Sequence, residues 1–219
     1  MKTLLVIDNY DSFTHNLVQM FMAYDFEIRV FRNDRISVEQ AEALCPDYLL
    51  ISPGPGNPAG AGVSMPMIRA FTGKIPILGV CLGMQCLNVV MGGETAAAPL
   101  PVHGKKSRIF HCGQGLFAGL PCPFEAARYH SLMVRAVPDR LKITAKTGDG
   151  VIMGLAHPDF PVFGVQFHPE SFMTEHAAAL IDNFVCAGPA GAAVFSQRRP
   201  YERPTASMAQ YPCRPHQPR

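Results

Sequence analysis

Ile77-Leu78-Gly79-Val80-Cys81-Leu82-Gly83 is the stretch on which the reading of this chain turns. Ile77 to Val80 is a short apolar run of the kind that forms a strand buried on both faces, and Leu82 to Met91 suits a helix that Gly92-Gly93 stops. A strand therefore passes into a helix at Cys81. The same unit recurs upstream. Leu4-Leu5-Val6-Ile7 is a second unbroken apolar run, followed by loop chemistry in Asp8-Asn9-Tyr10-Asp11-Ser12. Phe13, Leu17, Met20, Phe21 and Tyr24 then recur at helical spacing, and Glu27 to Phe31 reads as strand. Ser37 and Gln40 make a capping box that opens a short helix to about Leu44. Tyr48-Leu49-Leu50-Ile51 is the next buried strand, ended by Ser52-Pro53-Gly54-Pro55-Gly56, and a helix from about Met65 to Phe71 leads back to Ile77. Strands that alternate with helices predict an α/β fold with a doubly wound, mostly parallel central sheet flanked by helices.

Downstream the pattern changes. Phe124 to Arg128, Leu141 to Thr147, Val151 to His157 and Val162 to Phe167 read as strands, two of them joined across Gly148-Asp149-Gly150, so the second half should be antiparallel and rich in β-hairpins. A last helix from about Thr174 to Val185 would lay Ala178, Ile181 and Val185 on the sheet.

With 219 residues, 48% hydrophobic and 16% charged, the chain has apolar area for one large packed domain, placed at residues 1–186. Residues 187–219 hold six prolines and five arginines against the single acid Glu202, a composition that buries too little apolar area to offset its ordering entropy, so a flexible Pro/Arg-rich tail is expected there. Without that tail the balance is 14 basic to 16 acidic side chains, which gives no electrostatic footprint for nucleic acid. No apolar run is long enough to span a membrane, and Met1-Lys2-Thr3 runs into an apolar segment too short for a secretory signal. The seven cysteines are odd in number, irregularly spaced and lack a C-x-x-C pair, which fits reduced thiols in a cytoplasmic protein.

Ligands of open α/β sheets bind outside the carboxyl ends of the parallel strands. Gly79-Val80-Cys81-Leu82-Gly83 stands at such an end and is the thiol counterpart of a G-x-S-x-G nucleophile turn. There the helix dipole stabilises thiolate, and the Leu82 N–H can face a developing oxyanion. The alternative is a buried apolar cysteine, the reading given to Cys45, Cys86 and Cys186. A nucleophilic thiol needs a base with an orienting partner. In Gln166-Phe167-His168-Pro169-Glu170-Ser171, residues two apart in extended chain project to the same side, so Glu170 can hold the His168 ring. Gly54-Pro55-Gly56 lacks the lysine and Ser/Thr of a phosphate loop, and its free backbone N–H groups suit a second oxyanion donor; an ordinary turn is the alternative. His103, His111 and Cys112 lack the spacing of metal ligands, so no metal is expected.

The ordered set Ile51-Ser52-Pro53-Gly54-Pro55-Gly56, Leu78-Gly79-Val80-Cys81-Leu82-Gly83-Met84-Gln85 and Gly164-Val165-Gln166-Phe167-His168-Pro169-Glu170-Ser171 resembles the class I, triad-type glutamine amidotransferases, over residues 1 to about 186. Asp8-Asn9-Tyr10-Asp11-Ser12-Phe13, His103-Gly104-Lys105 and Arg128-Tyr129-His130-Ser131-Leu132 look like the branch serving anthranilate synthase and aminodeoxychorismate synthase. The resemblance implies a flavodoxin-like amidotransferase fold and a catalytic triad of Cys81, His168 and Glu170. It implies an oxyanion hole of the Gly54 and Leu82 N–H groups, and L-glutamine held by Gly54, Pro55, Gly56, Gln85, Ser131 and Leu132. Ammonia would pass to a separate chorismate-using synthase subunit of tryptophan or folate biosynthesis. No cofactor is implied in this subunit, although the partner would use a divalent metal. Met84 departs from the branch, which commonly has histidine there. A stand-alone cysteine hydrolase acting on γ-glutamyl compounds and a catalytically silent binding subunit are the competing readings.

Overall fold

The computed structural model describes residues 1–188; the tail expected from residue 187 onward lies, from 189, outside the described residues. Among the described residues, nine strands, numbered in chain order, form a single sheet in the order β2-β1-β3-β4-β9-β8-β7-β5-β6. Strands β1 (Lys2–Asp8), β2 (Phe26–Arg32), β3 (Tyr48–Ile51), β4 (Ile77–Val80) and β9 (Val162–Val165) run parallel. Across β9 the sheet turns antiparallel through β8 (Ile152–Ala156), β7 (Lys142–Thr147), β5 (Glu94–His111) and β6 (Phe124–Ala136).

Alternation along the parallel strands explains why both faces are covered. Leu4, Val6, Tyr48, Leu50, Leu78 and Val80 point to one face, where they join Leu17 and Phe21 of helix α1 (Thr14–Phe21) and Leu180, Ile181 and Phe184 of the C-terminal helix (Ala177–Cys186). Leu5, Ile7, Leu49, Ile51 and Ile77 point to the other. There they meet Ala41 of α2 (Val38–Ala43), Met67, Ile68 and Phe71 of α3 (Ser64–Phe71), and Leu82, Met84 and Leu87 of α4 (Leu82–Val90). The C-terminal helix is therefore α5. The expected capping box is formed: the Ser37 side chain accepts from the Gln40 N–H and the Gln40 side chain from the Ser37 N–H.

Three readings are corrected. Strand β5 was not anticipated, and β6 extends eight residues beyond the expected Arg128, to Ala136. The two form a long bulged hairpin whose register shifts between Ala97 and Val102 and again between His103 and Lys105, and a bulge is where a strand tolerates proline. Cys45 and Cys186 are exposed rather than buried, because each sits at a helix end off its apolar stripe, while Cys86 is buried as expected. Cys45, Cys81, Cys86 and Cys112 are free thiols, but Cys122 is disulfide-bonded, so the expectation of reduced cysteines fails there. Among the described residues, no helix is long and apolar enough to cross a membrane.

Candidate active site

The carboxyl ends of β1, β3, β4 and β9 lie side by side, since these four strands are parallel neighbours in the sheet. Each delivers one part of the site.

From β4 comes Cys81, which precedes α4 with φ 52 and ψ −103. A β-carbon residue pays about 1–3 kcal/mol for such a backbone, a strain that the surrounding structure has to impose. Here the imposition is visible. The Cys81 N–H donates to the Val165 carbonyl at 2.8 Å, tying the turn to β9. A Cβ on Gly79 would stand 2.5 Å from the Gly83 backbone, and one on Gly83 would stand 2.4 Å from the Ile51 carbonyl oxygen, so only glycines let strand and helix close this tightly. Leu82 is the first residue of α4, and its N–H has no carbonyl one turn earlier to meet.

From β3 comes Gly54, set on a support that sequence reasoning missed. The Asn9 side chain donates to the Ser52 carbonyl at 2.9 Å and accepts from Asn33 at 2.9 Å and from Ser64 at 2.7 Å. Its own N–H donates to Ser52 Oγ at 2.8 Å. Asn9 thus locks the loops after β1 and β3 together. Asp8 beside it gathers the Tyr10 N–H and the Thr14 hydroxyl, each at 2.9 Å, and meets Arg32 at 3.0 Å. These bonds give a physical use to the Asp8–Phe13 stretch, whose residues carry no individual role in the sequence.

From β9 comes His168. Its Nδ1 meets Glu170 Oε1 at 2.6 Å, with 3% and 0% of the two side chains exposed. The pairing stands, but the expected cause does not. The strand ends at Val165, and residues 168–171 form a turn in which the Ser171 N–H donates to the His168 carbonyl at 3.2 Å, so the turn brings Glu170 to the ring. The His168 backbone is also fixed by Ala127 and by the Thr174 hydroxyl, and Tyr129 and Phe13 pack edge-on to its ring with centroids at 5.1 and 6.4 Å. Burial alone would push the imidazole pKa down. Hydrogen bonding and charge from Cys81 and Glu170 outweigh it and hold the pKa up, at about 10. Cys86, one turn along α4, is a contrast: burial without such partners pushes its thiol up to about 12.

Gly54, Pro55, Gly56, Cys81, Leu82, Gln85, Ser131 and Leu132 all line one cavity of about 200 Å³, together with His103, Tyr129 and His130. His168 and Glu170 are not among its lining residues, although His168 interacts with Cys81, which is. Gln85 is less free than expected of a substrate-binding residue. Its NH₂ donates to the Leu132 carbonyl at 3.2 Å and to Gln166 Oε1 at 3.1 Å, which uses both hydrogens and leaves Oε1 as the atom able to receive a ligand's N–H. Met84 is fully buried and takes no part in the cavity, so the departure at that position is a matter of core packing. His111 is structural: it accepts from the Gly113 N–H at 3.1 Å and contacts the Pro121 carbonyl at 2.9 Å, which occupies both ring nitrogens.

The arrangement is chemically specific: a strained thiol at a helix N-terminus, a buried imidazole–carboxylate pair beside it, and a cavity that receives the thiol and a glycine loop from the neighbouring strand. Comparison with known proteins agrees. The family model "Glutamine amidotransferase class-I" matches residues 5–187. The chain is 49% identical over 184 residues to the aminodeoxychorismate/anthranilate synthase component 2 of Bacillus subtilis, an alignment covering 83% of this chain and 95% of that one. It is 51% identical over 189 residues to the bifunctional protein TrpGD of Thermotoga maritima, covering 84% of this chain but only 32% of that longer relative. A glutamine amidotransferase structure from Thermotoga maritima shares the fold, with a TM-score of 0.67 at 16% identity over 77% of this chain and 76% of that one. Sequence, fold and family match coincide over the same residues, and the chain belongs to the class-I glutamine amidotransferases.

Proposed function

We propose that this chain hydrolyses L-glutamine through a Cys81 thioester and delivers the ammonia to a separate chorismate-using synthase subunit. The observation that carries the reading is the meeting of Cys81, Gly54 and Leu82 in one cavity, with the buried His168–Glu170 pair alongside. The Cys81 thiolate attacks the side-chain amide carbon of glutamine, and the resulting oxyanion is received by the Gly54 and Leu82 N–H groups. His168 passes its proton to the amide nitrogen, which leaves as ammonia. Water then loses a proton to His168 and attacks the thioester, which releases glutamate and restores the thiolate. Glu170 holds the ring and balances its charge throughout. Gly56, Pro55, Ser131 and Leu132 shape the site around glutamine, and Gln85 Oε1 accepts from one of its N–H groups.

The partner is inferred from relatives such as the aminodeoxychorismate/anthranilate synthase component 2 of Bacillus subtilis. The described residues are taken up by the glutaminase fold, so the chorismate chemistry belongs to the other subunit. This subunit would work without a cofactor and in the cytoplasm. The test is a glutaminase assay with and without a candidate synthase subunit, followed by synthesis from chorismate with glutamine as nitrogen donor. Product from glutamine supports the reading. Glutaminase activity with no transfer to any such partner would favour a free-standing hydrolase, and absence of both would favour a silent binding subunit.

A further inference from the structure

One polar side chain touches the reacting sulfur and has no place in the mechanism above. Gln166 Nε2 lies 3.3 Å from Cys81 Sγ, and the Gln166 residue is wholly buried, so its carboxamide must find partners inside the protein. Which end of that amide faces the sulfur follows from the network. The Leu132 carbonyl can only accept, so the Gln85 atom at 3.2 Å from it is the NH₂. The second hydrogen of that NH₂ points to Gln166 at 3.1 Å, so the Gln166 atom there is the oxygen, and its own NH₂ is turned to Cys81.

The orientation is anchored further back. The Leu132 carbonyl also lies 2.9 Å from His130 Nδ1, while His130 Nε2 accepts from Arg128 Nε at 3.0 Å. With Nε2 used as an acceptor, the single ring proton of His130 sits on Nδ1 and donates to Leu132. The Leu132 carbonyl therefore accepts from both His130 and Gln85, Gln85 donates its other hydrogen to Gln166 and Gln166 donates to the sulfur, so neither amide can flip without leaving two donors or two acceptors face to face.

We propose that Gln166 is a further catalytic residue of this site, donating a hydrogen bond that holds Cys81 as the thiolate, and that Gln85 is the positioning residue that keeps the Gln166 amide turned to the sulfur. This rests on the glutaminase reading but deepens it. The His168–Glu170 pair supplies charge balance from one side, and the wholly buried Gln166 amide supplies a fixed dipole from another, which costs no reorganisation during reaction. When the sulfur becomes a neutral thioester this bond weakens, and when thiolate leaves again it is restored, so Gln166 favours the second step, hydrolysis.

The test uses the full chain and reads the sulfur directly. Cys81 alkylation by iodoacetamide is followed by peptide mass spectrometry across pH, which separates it from the other cysteines, and glutaminase kcat and KM are measured in parallel. Gln166→Met removes the donor at nearly constant shape. Its alkylation curve should move toward alkaline pH by about one unit, with kcat about tenfold lower and KM within about twofold. Gln85→Met should move the curve the same way by less, while also raising KM because Gln85 lines the cavity. Should Gln166→Met fail to fold, Gln166→Glu keeps the size and the acceptor for Gln85, and its curve should move further still. Curves that superimpose on the native one in these variants would overturn the proposal. Because alkylation needs no glutamine, this result stands apart from whether the native chain turns glutamine over.

Discussion

His168 Nδ1 meets Glu170 Oε1 at 2.6 Å inside a turn that shields both side chains from water. A carboxylate held this way raises the proton affinity of the ring, and together with Cys81 it keeps His168 protonated up to about pH 10. Burial opposes this, so removing Glu170 leaves Cys81 alone to offset it and lowers the pKa.

Glu170→Gln should therefore lower kcat, by up to about 10⁴-fold if the carboxylate also sets the tautomer, and should shift the alkaline limb of the pH–rate profile to lower pH. In the native chain that limb reflects loss of the His168 proton near the folded value of about 10. The sign for stability is the same. A raised folded pKa gives a contribution that is complete below the free-imidazole value and fades as pH climbs through the folded one. Steady-state turnover from pH 6 to 10 checks the shift; an unmoved limb would remove Glu170 from its role.

Gly54→Val tests the loop after β3. A Cβ there would stand 2.5 Å from Asn9 Cβ and 2.6 Å from the Asn9 carbonyl oxygen, and Asn9 cannot retreat without breaking its bonds to Ser52, Asn33 and Ser64. The loop has to move, carrying its N–H away from the oxyanion. Loss of one such donor costs about 2.7–4 kcal/mol of transition-state stabilisation. Turnover should fall by two to three orders of magnitude, at about 10²–10³-fold, while Cys81 still reacts with iodoacetamide.

His130 carries a pH dependence of the opposite sign. Burial, joined by the charge of Arg128, pushes its pKa down to about 4, so the folded chain keeps it neutral while the unfolded chain protonates it. Its contribution is complete above the free-imidazole range and is lost as pH falls toward 4, for a total of about 3 kcal/mol. Denaturant unfolding of the native chain and of His130→Gln, compared between pH 7 and 4.5, should show a shallower loss of stability in the variant.

Much of this was legible in the residues. The runs Tyr48–Ile51 and Ile77–Val80 mark two strands to the residue, since a strand buried on both faces admits no polar interruption. Strand β5 was not legible, because Pro99, Pro101 and Gly104 read as loop until the bulges at Ala97/Val102 and His103/Lys105 are seen to absorb them. Asn9 and Gln166 were quoted within motifs yet given no role. Their parts depend on residues 43 and 85 positions away, and no local spacing reports such partners. The signal that could have found them is a polar amide side chain at the end of an apolar strand, where burial obliges it to bond.

The most direct measurement is ammonia against glutamine as nitrogen source for Cys81→Ser in complex with the synthase partner. Only thioester formation needs the thiol. The account predicts that the complex loses synthesis with glutamine and keeps it with ammonium salts at the native rate. Glutamine-dependent synthesis that persists in Cys81→Ser would contradict it.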